Sequence, residues 1–128
     1  MTRSFALRTA TLAFLALGPS VLQQARAAAL PTGIGQCSET TIKTIGTRLG
    51  TPDSGSVVSY ANGGVQISYD AIPEIHRSKI GDHVNLCLVS VPQDCPPGDD
   101  RGKIYRATNL RTGESWELPD SQHSCGGA

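Results

Sequence analysis

The hydrophobic positions divide the chain into two parts with different patterns. Near the N-terminus, one continuous apolar run is followed by small residues, whereas from residue 30 onward short apolar stretches alternate with turn residues. Gly and Pro make up about a fifth of that second part. Short apolar stretches at close intervals, separated by Gly- and Pro-containing turns, are typical of antiparallel β proteins.

Two β-hairpins are indicated by paired apolar stretches around turn residues. Ser56–Tyr60 and Val65–Tyr69 flank a turn of Ala, Asn, Gly and Gly, and Asn and Gly tolerate the positive φ that tight turns require. Lys103–Asn109 and Glu114–Leu118 flank a second turn that also contains Gly. Each hairpin contributes two antiparallel strands to the predicted fold.

The remaining stretches add one or two strands and decide the fold class. Val84–Val91 is nearly all apolar and predicts the most buried strand. Thr40–Leu49 has some helical spacing, but its Thr and Ile content and Gly46 favour a strand with a bulge. Ile72–Lys79 is either a loop or one short helical turn. We therefore predict an all-β fold, a small antiparallel barrel or compact sandwich of five to six strands.

The N-terminal part has the pattern of a signal peptide. A short basic start precedes the apolar run Ala10–Leu22, which is too short to anchor the chain in a bilayer. Ala27 and Ala29 satisfy the small-x-small rule for cleavage. We predict a signal peptide over residues 1–29 with the cut before Leu30, and a cut two residues earlier as the alternative. The mature chain is then periplasmic or secreted, with no stable membrane anchor after cleavage.

Charge and length limit the functions open to residues 30–128. This part holds 8 Lys and Arg against 11 Asp and Glu, because the three other basic residues lie in the predicted signal peptide. A net charge of about −3 argues against a cationic nucleic-acid binder. About 99 residues form one small domain and exclude a multidomain enzyme. We predict a monomeric domain with no nucleic-acid partner.

The 4 cysteines all lie in the predicted mature part and indicate two disulfides. Three pairings are possible. We favour Cys37–Cys125, which would tie the two ends of the domain, together with Cys87–Cys95, which would close a short loop. The absence of a CxxC pair from the sequence argues against zinc, and no metal or other cofactor is predicted.

The loop over residues 95–102 is the first candidate for function. Two prolines and a predicted disulfide restrict it, and it carries Asp99, Asp100 and Arg101. A preorganised charged loop loses little entropy on binding, so it favours a non-enzymatic binding module whose partner is a secreted or periplasmic protein, with inhibition of an envelope-directed hydrolase as its specific form. The alternative is that the three charged residues cap a turn, or that Arg101 pairs internally.

Two other sets of residues are candidates. Arg106 and Trp116 would extend the binding face, with core packing as the competing use of the tryptophan. His76, His83 and His123 suggest a small periplasmic hydrolase or a metal-binding protein instead. The spacing of the histidines matches no metal pattern, and Asp120-Ser121-His123 has the residues of a hydrolase triad without an oxyanion-hole signature.

The residues from Leu86 to the C-terminus, LCLVSVPQDCPPGDDRGKIYRATNLRTGESWELPDSQHSCGGA, resemble small exported bacterial proteins with no assigned activity. That resemblance supplies no catalytic residues. The plan of the chain is also similar in architecture to the periplasmic lysozyme inhibitors, with a signal peptide, a β-rich body and a disulfide-bounded loop. This similarity is one of architecture only, because the signature loops of those proteins are not matched residue by residue, and a shared architecture does not transfer function.

Overall fold

The computed structural model describes residues 28–127, together with Ala13 and Gly18. Most of the predicted signal peptide, residues 1–29, therefore lies outside the described residues. Within the described part, none of the helical structure is long and apolar enough to cross a membrane.

Antiparallel strands account for nearly all the regular secondary structure of the described residues. They form one sheet in the order β3-β2-β1-β4-β5-β6. The elements are β1 (Cys37–Gly46), β2 (Ser56–Tyr60), β3 (Val65–Ser68), α1 (Pro73–His76), β4 (His83–Ser90), β5 (Ile104–Asn109) and β6 (Ser115–Pro119). The all-β prediction is confirmed, as are both hairpins, and residues 40–46 of the strand predicted over 40–49 lie in β1. Gly63 turns the first hairpin with a φ of 90°, which a residue with a Cβ rarely adopts.

The sheet curls into a half-barrel because β1 belongs to both of its halves. The first part of β1 pairs with β4, and the second part pairs with β2. Between Ile42 and Thr44 the register with β2 shifts, and β4 and β5 have a second irregularity between Leu88 and Ser90. Bulges increase the local twist of a strand. The edge strands β3 and β6 consequently approach each other on the open side of the sheet.

The concave face of the sheet holds the core, which alternates with exposed positions along each strand. Ile75 of α1 is fully buried and covers one end of the half-barrel. The buried apolar side chains are Ile42, Val58, Tyr60, Ile75, Val84, Leu86, Leu88, Tyr105, Ala107 and Trp116. With no Phe after residue 30, the two tyrosines and the tryptophan supply the large side chains of this core.

A fully buried amide, that of Gln66, lies between the two edges of the sheet. Its Nε2 donates to the carbonyl oxygens of Tyr105 at 2.6 Å and Leu118 at 3.1 Å. Its Oε1 accepts from the Tyr60 hydroxyl at 2.6 Å and from Trp116 Nε1 at 2.9 Å. Carbonyls only accept and an indole N–H only donates, so the orientation of the amide is chemically determined. Each of its hydrogen-bonding positions is used, and β3 is thereby joined to β5 and β6.

A second polar network joins the turn before β4 to the turn after β5. Asp82, only 8% exposed in its side chain, accepts from Arg111 Nε at 2.7 Å and from Arg111 Nη2 at 2.9 Å. Asn109 Nδ2 and the backbone N–H of Lys79 each donate to Asp82 Oδ2 at 2.8 Å. The Arg111 hydrogen bonds, followed by those from Asn109 and Lys79, hold the pKa of Asp82 well below its usual range against the opposing effect of burial.

The predicted disulfide pairing is wrong. The structure joins Cys37 to Cys87 and Cys95 to Cys125. Cys37 is the first residue of β1, and the antiparallel register with β4 places it directly opposite Cys87. Its proximity to the N-terminus of the domain is therefore less important than its position in the ladder. Cys125 does tie down the C-terminal tail, but its partner is the loop cysteine.

Replacing Gln66 by Leu should destabilise the protein by about 3 kcal/mol, because the Tyr60 hydroxyl loses its acceptor, two buried carbonyl oxygens lose a donor, and the Trp116 indole N–H keeps only its 3.3 Å bond to the Tyr60 hydroxyl. Gln93 is exposed, so Gln93→Leu is the matched control and should change the free energy of unfolding by about 0.5 kcal/mol or less. Urea denaturation of the three proteins measures both effects. A Gln66→Leu protein as stable as the control would contradict the role assigned to this amide.

The Asp82 network predicts a pH-dependent effect of Asp82→Asn. At pH 7 the substitution should cost about 1–3 kcal/mol, because it removes the charge that Arg111 bonds. The folded-state pKa is lowered, so this contribution is complete above the unfolded-state pKa of about 3.9 and is lost as pH falls toward the folded-state pKa. Denaturation at neutral and acidic pH should show the two proteins converging in stability as pH falls. A difference independent of pH would contradict the assignment.

Candidate functional site

The predicted binding loop is joined covalently to the C-terminal tail. The Cys95–Cys125 disulfide brings the two Cα atoms to 5.3 Å, and the backbone N–H of Cys125 donates to the carbonyl oxygen of Arg101 at 2.7 Å. Gly102 has a φ of 107°, and a Cβ added to it would lie 3.2 Å from Ser124 Cα. Loop and tail therefore pack as one unit, which we call the loop–tail platform (residues 95–102 and 120–127).

Asp99 is the polar centre of the loop–tail platform. Its carboxylate accepts from Arg101 Nε at 2.8 Å and Nη2 at 2.9 Å, and from the backbone N–H of Gly126 at 3.0 Å. These hydrogen bonds hold the pKa of Asp99 well below its usual range, and the bonds from the Arg101 side chain have the largest effect on it. One carboxylate thus joins the loop to the tail and fixes the direction of a neighbouring guanidinium.

The other charged groups of the platform are also paired. Lys103 Nζ lies 2.6 Å from Asp100 Oδ2, although the Asp100 side chain remains 85% exposed. Asp120 accepts from the backbone N–H of Gly102 at 2.8 Å, and its own N–H donates to the Lys103 carbonyl at 2.9 Å. The internal pairing of Arg101 that the sequence analysis considered is therefore present, with Asp99 as its partner. The Asp99–Arg101 and Asp100–Lys103 ion pairs shape the loop. Among these four side chains, that of Asp100 is the most exposed to solvent.

The structure does not bring the other two predicted binding residues into the platform. Arg106 is exposed on the strand β5 and bonds Glu117 of β6 at 2.7 Å. Trp116 is 6% exposed and donates its indole N–H to Gln66. A buried indole is not accessible to a partner, so including Trp116 in a surface binding set was wrong. The competing interpretation, core packing, describes its position.

The three histidines occupy different structural settings. His76 Nε2 lies 3.2 Å from Ser56 Oγ, and His83 Nδ1 lies 2.8 Å from Glu39 Oε1. His123 is exposed in the tail, where Ser121 Oγ donates to its main-chain oxygen at 2.8 Å rather than to its imidazole. Within residues 28–127, no group of three His, Cys, Asp or Glu side chains is arranged to hold a metal ion.

A cleft that the sequence analysis missed lies beside the platform. It has a volume of about 260 Å³ and is lined by residues 67–70 and by Pro119, Ser121 and Gln122; we call it the seam cleft. The Tyr69 side chain is 54% exposed, and the Arg48 guanidinium lies 4.2 Å from the centre of its ring. No local pattern indicates the cleft, because its two walls are about 50 residues apart in the sequence.

Comparisons of the chain with protein-family models, with characterised proteins and with solved structures found no match.

Proposed function

We propose that the protein is an exported, non-enzymatic binding module that contacts a secreted or periplasmic protein through the loop–tail platform. The observation that carries this proposal is the locking of loop and tail into one unit by a disulfide and by Asp99. A rigid surface loses less conformational entropy on association than a flexible loop does. More specifically, we propose that the bound protein is an envelope-directed hydrolase and that binding inhibits it. This function should be tested first.

The surface chemistry of the platform supports contact with a protein. Pro96 and Pro97 are exposed on it, and their fixed φ angles restrict the loop further. Asp100 presents a carboxylate to solvent, while Asp99 and Arg101 neutralise each other. The platform thus combines a rigid apolar part with ion-paired charged groups, of which the Asp100 carboxylate is the most exposed, an arrangement suited to a protein surface of complementary shape. The hydrolase or metal-binding alternative has no comparable arrangement around its histidines in residues 28–127.

Export is the second component of the proposal. Two disulfides are typical of proteins that fold in an oxidising compartment. Leu30 packs against the core and Pro31 is buried, whereas Ala28 and Ala29 are exposed. Cleavage before Leu30 would therefore follow two exposed residues and leave both Leu30 and Pro31 in the mature domain.

Reversing the charge of the exposed Asp100 side chain should remove binding of the partner protein. Asp100→Lys reverses an exposed carboxylate that has one side-chain partner, and Glu39→Lys is the matched control, because Glu39 is also exposed and pairs with one side chain, His83. Captures from periplasm and from host fluids, quantified by mass spectrometry, should lose a partner with the first variant and retain it with the second. The same partner should bind more weakly to the Cys95→Ser/Cys125→Ser protein, in which the platform is unlocked.

Identical partners at equal yield for wild type, Asp100→Lys and the cysteine double variant would show that the platform is not the binding site. If a hydrolase is recovered, its rate on peptidoglycan should fall as wild-type protein is added and should be unaffected by Asp100→Lys. An unchanged rate with the wild type would leave binding intact and remove inhibition from the proposal.

The cleavage position is tested by N-terminal sequencing. The full chain, expressed in a Gram-negative bacterium and recovered from the periplasm, should begin at Leu30, since Ala27 and Ala29 satisfy the small-x-small rule for a cut at that position. A start at Ala28 would establish the alternative cut. Accumulation in the cytoplasm with residues 1–29 retained would contradict export by this segment.

A further inference from the structure

The seam cleft has a wall that carries a fixed acidic residue. The main chain of Asp70 is held on both sides, because its N–H donates to Ser68 Oγ at 3.0 Å and its carbonyl oxygen accepts from Ser56 Oγ at 3.1 Å. Among residues 28–127, no Lys, Arg or His forms an ion pair with the Asp70 carboxylate. By contrast, the carboxylates of Asp82, Asp99 and Asp100 are all engaged.

The aromatic ring beside Asp70 adds a second attraction for a cation. One side of Tyr69 is stacked against Arg48, which is held by bonds from its Nε to the Ser54 carbonyl at 2.8 Å and from its Nη1 to Gln122 Oε1 at 3.2 Å. These bonds hold the Arg48 guanidinium against the ring, while Tyr69, which lines the cleft, stays 54% exposed. The face of an aromatic ring attracts ammonium and guanidinium groups.

The size of the cleft selects among cationic ligands. At about 260 Å³ it lies below the ~300–1,000 Å³ of pockets that enclose small-molecule ligands, so it suits a single side chain. The hydroxyl and amide groups of Ser121 and Gln122 on the opposite wall supply hydrogen-bond acceptors. A long, flexible basic side chain meets these conditions, with its aliphatic part against Ile67 and Pro119.

We propose that the seam cleft receives an arginine or lysine side chain of the protein partner. This inference rests on the proposed function, because Ser121 and Gln122 belong both to the cleft and to the loop–tail platform. A partner seated on the platform therefore has its surface next to the cleft. The basic side chain would pair with Asp70 and lie against Tyr69, so the partner's contact surface is basic at that position.

The test uses short peptides and requires no knowledge of the partner. Blocked peptides of sequence Gly-Ser-X-Ser-Gly, with X as arginine, lysine or norleucine, are titrated into ¹⁵N-labelled protein to ~10 mM, a range suited to weak binding. Asp70→Asn removes the proposed charge. Asp94→Asn is the matched control, since Asp94 is an exposed carboxylate outside the cleft whose φ of 57° asparagine also tolerates.

The arginine and lysine peptides should cause saturable shifts confined to the amides of residues 67–70 and 121–122. The norleucine peptide should cause none, and Asp70→Asn should weaken binding roughly tenfold while Asp94→Asn leaves it unchanged. Equal shifts with norleucine, an equal loss in both variants, or no saturable shift with either basic peptide would overturn the inference.

The two proposals fail separately. If the peptides do not bind but Asp100→Lys still removes a captured partner, the platform is supported as the binding site and the proposed insertion of a basic side chain into the cleft is wrong. If the peptides bind in the cleft but the platform variants capture the same proteins as wild type, the cleft is supported as a binding site for basic side chains. The platform is then not the surface that contacts the partner protein.

Discussion

The buried amide of Gln66 is the interaction on which the arrangement of this small domain depends. A sheet that curls through bulges has two open edges, and hydrophobic contact alone does not determine where they meet. Gln66 sets that position, because its Nε2 bonds the carbonyl oxygens of Tyr105 and Leu118 while its Oε1 receives the hydroxyl of Tyr60 and the indole of Trp116. Burying an amide is costly unless each donor and acceptor is satisfied. Other placements of β3 against β6 would leave several of these groups unpaired.

The positions of the two candidate surfaces, the loop–tail platform and the seam cleft, follow from that placement. Two residues beyond Gln66 the strand β3 ends, and Tyr69 and Asp70 form one wall of the seam cleft. Leu118, which accepts the Gln66 bond, immediately precedes the other wall and the tail that the Cys95–Cys125 disulfide joins to the loop. The cleft and the platform are therefore positioned by the same closure. Paired charges give the platform its shape, and Asp70 and Asp100 are carboxylates that these two surfaces expose to solvent.

Local features of the fold could be predicted from the sequence, whereas contacts between distant segments could not. The hairpin strands follow from turn chemistry and short apolar stretches. The Cys37–Cys87 disulfide depends on the register between β1 and β4, which local patterns do not contain, so the position of Cys87 opposite Cys37 was missed. On β3 the local pattern is misleading, because Val65 and Ile67 are apolar but the structure buries Gln66 between them. The seam cleft was missed for the same reason, since it exists only once the edges meet.

Hydrogen exchange at the Gln66 network tests this account most directly. The indole N–H of Trp116 is buried and donates to Gln66 Oε1, and the side-chain amide protons of Gln66 are buried and donate to carbonyl oxygens on β5 and β6. If this network closes the half-barrel, these protons should exchange only when the whole domain unfolds, with the same opening free energy as the slowest backbone amides of β4. Exchange of the indole proton through a much smaller opening free energy, while β4 remains protected, would contradict it.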